Sequence, residues 1–155
     1  MNSFRVIAIS DEIAGYVREH LKAPVYGHPA FADMASGYGP CRSCLQHFRV
    51  GEERRLLFTY DAFTGLERLP HPGPVFIHEQ QCTRYAEDGG FPLALAAHPL
   101  TLTAYAEGRI LQAVEYVDGD VLPALQRLQA LPQVAYIQVN DTEAGCHDFC
   151  MKRIS

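Results

Sequence analysis

The sequence predicts an α+β fold in which two helices pack on a mostly antiparallel sheet of about six to seven strands. Short segments rich in β-branched and aromatic residues outnumber segments with helical spacing. Most of the strand-like segments are joined by turns rather than by helices, which favours antiparallel pairing. A chain of 155 residues is long enough for one domain with a real core. We therefore expect a single α+β domain over residues 1–155.

The first elements predicted are a strand over residues 4–9 and a helix that begins at Ser10 or Asp11. Pro24 ends this helix. Apolar and aromatic positions recur at helical spacing and predict one packed face, formed by Ile13, Tyr16, Val17, His20 and Leu21. Residues 24–40 contain several glycines, prolines and aromatics, and predict a long irregular loop of the kind that often serves function.

The rest of the chain predicts mainly strands. Residues 52–60 alternate with period two, and residues 75–78 form a short apolar strand after Gly73 and Pro74. Residues 100–105 and 110–117 form a hairpin whose turn contains Gly108. Two further strands are predicted over residues 134–139 and 146–154. A helix that begins at Asp118 or Asp120 lies before them and ends at Pro132, and its core face is Val121, Leu125 and Leu128.

Composition excludes several classes of function. The net charge is −5 and no basic cluster exceeds a pair, so we expect no nucleic-acid partner. No apolar run is long enough to span a bilayer, so we expect no membrane partner. The N-terminal residues lack the pattern of a signal peptide, which predicts a cytoplasmic protein. The five cysteines are then expected to be thiols.

Cys41 and Cys44 form a C-x-x-C motif within the stretch GYGPCRSCL. A motif of this kind serves as a redox pair or as half of a zinc site. It also occurs as two packed thiols without chemistry. The sequence supports no strand–helix context for the redox interpretation, and all three interpretations remain open.

Several motifs follow one another in a fixed order: PCRSCL over residues 40–45, Gly51-Glu52 before LLFTYDAF, GPVFIH over residues 73–78, then Cys82, and AGC over residues 144–146. This combination resembles the bacterial family called domain of unknown function 1203. The resemblance marks family motif positions and implies no reaction. Those positions are Cys41, Arg42, His78, Cys82, Gly145 and Cys146.

One segment departs from the family pattern. A late strand in such proteins commonly ends in valine, arginine and asparagine, whereas this chain has Val139, Asn140 and Asp141. If the arginine binds an anion in relatives, that contact is missing in this protein. The departure therefore disfavours an anionic ligand.

A zinc site is one chemical possibility. An extended backbone places Cys146 and Cys150 about 13 Å apart and directs His147 to the opposite face, so these residues do not share an ion. The remaining candidate ligands are Cys41, Cys44, His78 and Cys82. The sequence does not show whether these four residues converge.

A cysteine-dependent enzyme is another possibility. Cys41 would be the nucleophile, with a thiolate favoured by the adjacent Arg42. His78 would be its base, oriented by Asp61 or Glu79.

The interpretation that needs the fewest coincidences is a pocket for an unknown small molecule, without a cofactor. We expect its lining to include Tyr38, Cys41, Arg42 and His78. The sequence leaves the oligomeric state open, and a homodimer is compatible with it.

Overall fold

The computed structural model describes residues 3–154 and confirms the α+β class, with eight strands and two helices in that range. Five strands form one antiparallel sheet in the order β1-β8-β7-β5-β6. These strands are β1 (Phe4–Ile7), β5 (Leu100–Ala106), β6 (Ile110–Val117), β7 (Tyr136–Asp141) and β8 (His147–Arg153).

A second antiparallel sheet has three strands in the order β2-β3-β4. They are β2 (Phe31–Met34), β3 (Arg54–Asp61) and β4 (Pro72–His78). The strands are thus divided between two sheets, and β2 lies inside the segment that the sequence predicted to be an irregular loop. All four residues of β2 are exposed, so the strand carries none of the apolar alternation by which strands are recognised.

The predicted hairpin is confirmed. β5 and β6 pair from Leu100 opposite Val117 to Ala106 opposite Ile110. Gly108 has φ 79° and the next residue, Arg109, has φ 62°, so the turn uses two consecutive left-handed residues.

The first helix, α1 (Asp11–His20), begins where the sequence predicted. The Ser10 side chain accepts a hydrogen bond from the Ile13 backbone N–H, which caps the helix. The predicted apolar face was wrong in part. Ala14 and Val17 are the buried residues of α1, whereas Tyr16, His20 and Leu21 are exposed. The helix packs through a narrow face that includes the small side chain of Ala14, so the larger side chains to either side of it stay in solvent.

The second helix, α2 (Leu122–Gln129), packs as predicted. Leu125 and Leu128 are buried in the core, and Val121 before the helix is buried with them. No helix within residues 3–154 is both long enough and apolar enough to cross a membrane.

Each sheet has its own buried cluster. The first cluster lies on the five-stranded sheet and includes the apolar face of α2. The second lies on the three-stranded sheet and combines Ala14 and Val17 of α1 with Leu56 and Ile77 of β3 and β4. Cys41 and Cys44 belong to this second cluster, so the C-x-x-C motif is part of the core that α1 and the three-stranded sheet share.

Candidate metal centre

The C-x-x-C motif lies in a tight turn that closes on itself. The Cys41 N–H donates to the Gln46 carbonyl over 3.0 Å, and the Leu45 N–H donates to the Cys41 carbonyl over 2.8 Å. Leu45 has φ 57°, a left-handed conformation that a branched apolar side chain rarely adopts. The turn is therefore held in shape by its own backbone hydrogen bonds.

Three other segments bind the backbone of this turn. The Arg42 N–H donates to the Phe76 carbonyl of β4 over 2.9 Å, and the Ile9 N–H donates to the Arg42 carbonyl over 2.9 Å. The Tyr85 N–H donates to the Ser43 carbonyl over 2.9 Å. These bonds draw together the end of β1, the end of β4 and the segment after β4. His78 and Cys82 come from the last two of these segments.

The structure brings four side chains from this junction into one cluster: Cys41, Cys44, His78 and Cys82. One ligand atom from each lies within 4.8 Å of every other. The Sγ atoms of Cys41 and Cys82 are 3.8 Å apart, and the Cys44 Sγ is 3.5 Å from the His78 Nδ1.

These distances match those of a tetrahedral zinc site. Zinc–sulfur bonds of about 2.3 Å and a zinc–nitrogen bond of about 2.0–2.1 Å place two sulfurs about 3.8 Å apart. The same bonds place a sulfur and a nitrogen about 3.5 Å apart. The backbone N–H of His78 also donates to the Cys41 Sγ over 3.3 Å, as is suited to a sulfur that carries negative charge.

The two ring nitrogens of His78 face different partners. Nδ1 faces the sulfurs, while Nε2 lies 3.1 Å from the Oε2 of Glu53. The two atoms form a close polar contact, which is an ion pair only when both ring nitrogens carry a proton. A carboxylate behind a metal-binding histidine fixes its tautomer and raises the basicity of its free nitrogen. The Arg49 N–H holds Glu53 in place through Oε1 at 2.7 Å.

Arg18 of α1 contributes a positive charge to the cluster. Its Nη2 lies 3.4 Å from the Cys82 Sγ, and its Nε donates to the His78 carbonyl over 3.0 Å. A zinc ion with three thiolates carries a net charge of −1. The guanidinium beside Cys82 offsets that charge at a half-buried position where an unbalanced charge is costly.

The close contacts within the cluster shift the pKa values of its thiols and of its imidazole. Hydrogen bonds with Cys41 and then Cys82 raise the pKa of His78 to about 10. Hydrogen bonds from Cys41 and then Cys44 lower the pKa of Cys82, and the pKa of Cys44 is raised, chiefly by its hydrogen bond with Cys41. Without a metal ion, the imidazolium of His78 and the thiolate of Cys82 therefore stabilise each other, and a metal ion bound at Nδ1 would displace the His78 proton.

Arg42 does not face this cluster. Its guanidinium donates to the carbonyls of His147 and Pro40 over 2.9 and 2.7 Å, and its Nη2 lies 3.1 Å from the Oδ1 of Asp148. Both members of this ion pair are buried, and burial raises the pKa of Asp148 to about 6 in spite of the arginine. Arg42 thus ties the turn to β8 and points away from the Cys41 sulfur.

Tyr38 also lies apart from the four clustered residues. Its ring packs on His98 with a centroid separation of 3.5 Å, and burial raises the pKa of its phenol. Of the four residues predicted to line a small-molecule pocket, the structure brings Cys41 and His78 together and directs Arg42 and Tyr38 elsewhere.

The other candidate ligands stay outside the cluster. Among the residues that the structure describes, Cys146, His147 and Cys150 do not join it. Asp61 accepts hydrogen bonds from the backbone of the turn after β3, and Glu79 pairs with Arg54. Neither carboxylate faces His78, so the predicted orienting residues are replaced by Glu53.

Two surface cavities border the cluster. One of about 590 Å³ is lined in part by Cys44, His78 and Cys82, and one of about 320 Å³ is lined in part by His78 and Cys82. Cys41 is fully buried and Cys44 is 8% exposed, whereas Cys82 is half-buried and borders both cavities. Solvent therefore reaches the cluster mainly from the side of Cys82.

Sequence reasoning missed Arg18 and Glu53. Arg18 lies on α1, 64 residues from Cys82, and nothing in the local pattern of the helix distinguishes it from a surface arginine. Glu53 directly follows the Gly51-Glu52 motif, which is the one local signal that could have drawn attention to it.

Comparisons with known proteins place the chain in a family without assigning an activity. Neither the curated proteins nor the solved structures contain a match to this chain. A family profile described as "Protein of unknown function (DUF1203)" matches residues 38–153, a span that includes all four cluster residues and the Arg42–Asp148 pair but not Arg18. Because that match extends over most of the sequence, the chain belongs to the DUF1203 family.

Proposed function

We propose that this protein binds one zinc ion through Cys41, Cys44, His78 and Cys82, and that the ion has a structural role. The observation that carries the proposal is the agreement of two independent distances with a tetrahedral Cys₃His site. These are 3.8 Å between two sulfurs and 3.5 Å between a sulfur and the imidazole Nδ1. Buried cysteines that pack as small apolar residues need no imidazole nitrogen directed at them.

The donor set favours a structural ion over a catalytic one. Catalytic zinc sites keep a position open for water or substrate, whereas structural sites fill all four positions with protein ligands. Here the protein supplies four donors. They come from the C-x-x-C turn, the end of β4 and the segment after it. One ion would therefore join three segments that also meet through backbone hydrogen bonds and the second buried cluster.

The surroundings also suit a zinc ion. Glu53 orients His78, the His78 N–H donates to the Cys41 sulfur, and Arg18 balances the negative charge of three thiolates. Zinc is favoured over harder cations such as magnesium or calcium because thiolate and imidazole are soft or borderline ligands.

Metal analysis of protein purified without chelators tests the proposal. We expect about one zinc per chain. Cys44→Ala and His78→Ala should each lose most of this zinc, while Cys146→Ser, which changes a thiol outside the cluster, should retain it. Wild-type protein without stoichiometric zinc, and unable to take it up from a zinc-buffered solution, would refute the proposal.

Removal of the metal gives a second readout. Because binding to the folded state adds to the free energy of unfolding, a strong chelator should lower the melting temperature, and added zinc should restore it. The Cys44→Ala variant should melt at the same temperature with and without chelator.

A further inference from the structure

We propose that Cys82 is a modification site at which a peroxide oxidises the cluster, and that Cys41 completes the reaction as a Cys41–Cys82 disulfide. This inference rests on the zinc site proposed above, since the disulfide would remove two of its four ligands. The proposal follows from the different exposure of the three thiols and from the distance between two of them.

Access selects Cys82 as the first sulfur to react. Cys41 is fully buried and Cys44 is 8% exposed, so a dissolved oxidant meets neither as readily. Cys82 is half-buried and borders both cavities at the cluster, each of which is much larger than a hydrogen peroxide molecule. A cysteine that binds zinc does so as a thiolate, which is also the form that attacks peroxides, and the Arg18 Nη2 donates to this sulfur over 3.4 Å.

The distance between the two sulfurs makes Cys41 a suitable partner for the oxidised Cys82. The Cys41 and Cys82 Sγ atoms are 3.8 Å apart, so a disulfide between them requires the sulfurs to approach by somewhat less than 2 Å. Cys41 lies on the inner side of the cluster, where peroxide does not reach it, but where it directly contacts the oxidised sulfur.

The steps balance with hydrogen peroxide as the oxidant. The Cys82 thiolate attacks one peroxide oxygen, an S–O bond forms, the O–O bond breaks, and the hydroxide that leaves takes a proton to become water. The Cys41 thiolate then attacks the Cys82 sulfur, an S–S bond forms, the S–O bond breaks, and a second hydroxide leaves and becomes water. Two thiolates lose two electrons in total, and one peroxide is reduced to two waters.

The disulfide would reduce the number of side chains that can bind the metal ion. Only Cys44 and His78 would remain as metal ligands, and two ligands bind zinc far more weakly than four. Arg18 would lose its negatively charged partner, because a disulfide sulfur carries no charge. Oxidation of Cys82 would therefore weaken a contact that joins α1 to the cluster. Dithiol reductants reverse such a disulfide, so the modification would be reversible.

The test uses zinc-loaded full-length Cys146→Ser protein, which lacks a half-exposed thiol that could form disulfides between molecules. Its zinc content is measured first. Hydrogen peroxide is then added, zinc release is followed with a coloured chelator, and the disulfide is mapped by mass spectrometry after alkylation of the remaining thiols.

We expect zinc release in step with the formation of a disulfide between the peptides that contain Cys41 and Cys82, and recovery of zinc binding after a dithiol reductant and zinc are added. A disulfide that includes Cys44, or overoxidation of Cys82 with no disulfide, would overturn the inference. Resistance of a stoichiometric zinc site to peroxide would also overturn it while leaving the proposed function intact. Protein without zinc at the first measurement would instead refute the proposed function.

Discussion

The Nε2 atom of His78 lies 3.1 Å from the Oε2 of Glu53, on the side of the ring opposite the cysteine sulfurs. Loss of a carboxylate behind a metal-binding histidine typically lowers metal affinity about 10–100-fold. We therefore expect Glu53→Gln to weaken zinc binding by about this factor without loss of the fold, as measured by competition with a chelator of known affinity. Glu79→Gln is the matched control, because Glu79 follows His78 in the chain and pairs with Arg54 instead. Equal zinc affinities in Glu53→Gln and wild type would show that Glu53 does not support metal binding by His78.

The buried pair of Arg42 and Asp148 should be important for stability. Removing one member of a buried ion pair leaves an uncompensated charge and typically costs about 3–5 kcal/mol. Arg42→Ala should therefore lower the free energy of unfolding by about that amount in urea titrations. The surface pair of Arg127 and Glu115 provides the contrast, and Arg127→Ala should have little effect. A loss below about 1 kcal/mol in Arg42→Ala would mean that the turn does not depend on its anchor to β8.

The packing of α2 on the five-stranded sheet predicts unequal effects along the helix. Leu125 is 6% exposed and Leu122 is 45% exposed. Leu125→Ala should cost about 2–5 kcal/mol because it removes buried apolar volume, whereas Leu122→Ala should change the free energy of unfolding much less. Similar losses of unfolding free energy in both variants would show that α2 does not pack on the sheet through Leu125.

The pair of Asp33 and Arg55 predicts a pH dependence of stability. Arg55 donates from Nε and Nη2 to the two Asp33 oxygens over 2.9 and 3.2 Å, and these hydrogen bonds lower the pKa of Asp33. Because the pKa of Asp33 is lower in the folded than in the unfolded protein, the ionised carboxylate stabilises the fold at any pH above its unfolded pKa of about 4. This stabilisation is lost as the pH falls through the pKa of the folded protein.

Asp33→Asn should therefore be less stable than wild type at neutral pH. The difference should not exceed about 1 kcal/mol, because the carboxylate is half exposed and screened by solvent. The two proteins should converge as the pH is lowered below about 4 in denaturant titrations. A constant difference across this pH range would rule out an electrostatic origin.

The sequence predicted those parts of the fold that local patterns encode. The hairpin of β5 and β6 combines β-rich segments with a glycine at the turn, and α2 presents Leu125 and Leu128 at helical spacing. β2 could not be predicted in this way because its side chains are all exposed. It is a strand only because it pairs with β3, a contact that is distant in sequence.

The four candidate ligands could be chosen from the sequence, but their convergence could not. Cys44 and His78 are 34 residues apart, and Cys41 and Cys82 are 41 residues apart. Their meeting depends on backbone hydrogen bonds between segments, such as Tyr85 to Ser43, for which no side-chain pattern exists. The position of Arg42 was hard to predict for the same reason, since its partner Asp148 lies on β8 at the other end of the chain.

X-ray absorption at the zinc K-edge of the purified protein tests the central claim most directly, because it counts and identifies the atoms bound to the metal. The four clustered residues predict a first shell of three sulfurs at about 2.3 Å and one nitrogen at about 2.0–2.1 Å. Zinc surrounded only by oxygen and nitrogen, or protein that carries no zinc, would contradict the assignment of Cys41, Cys44, His78 and Cys82 as one metal centre.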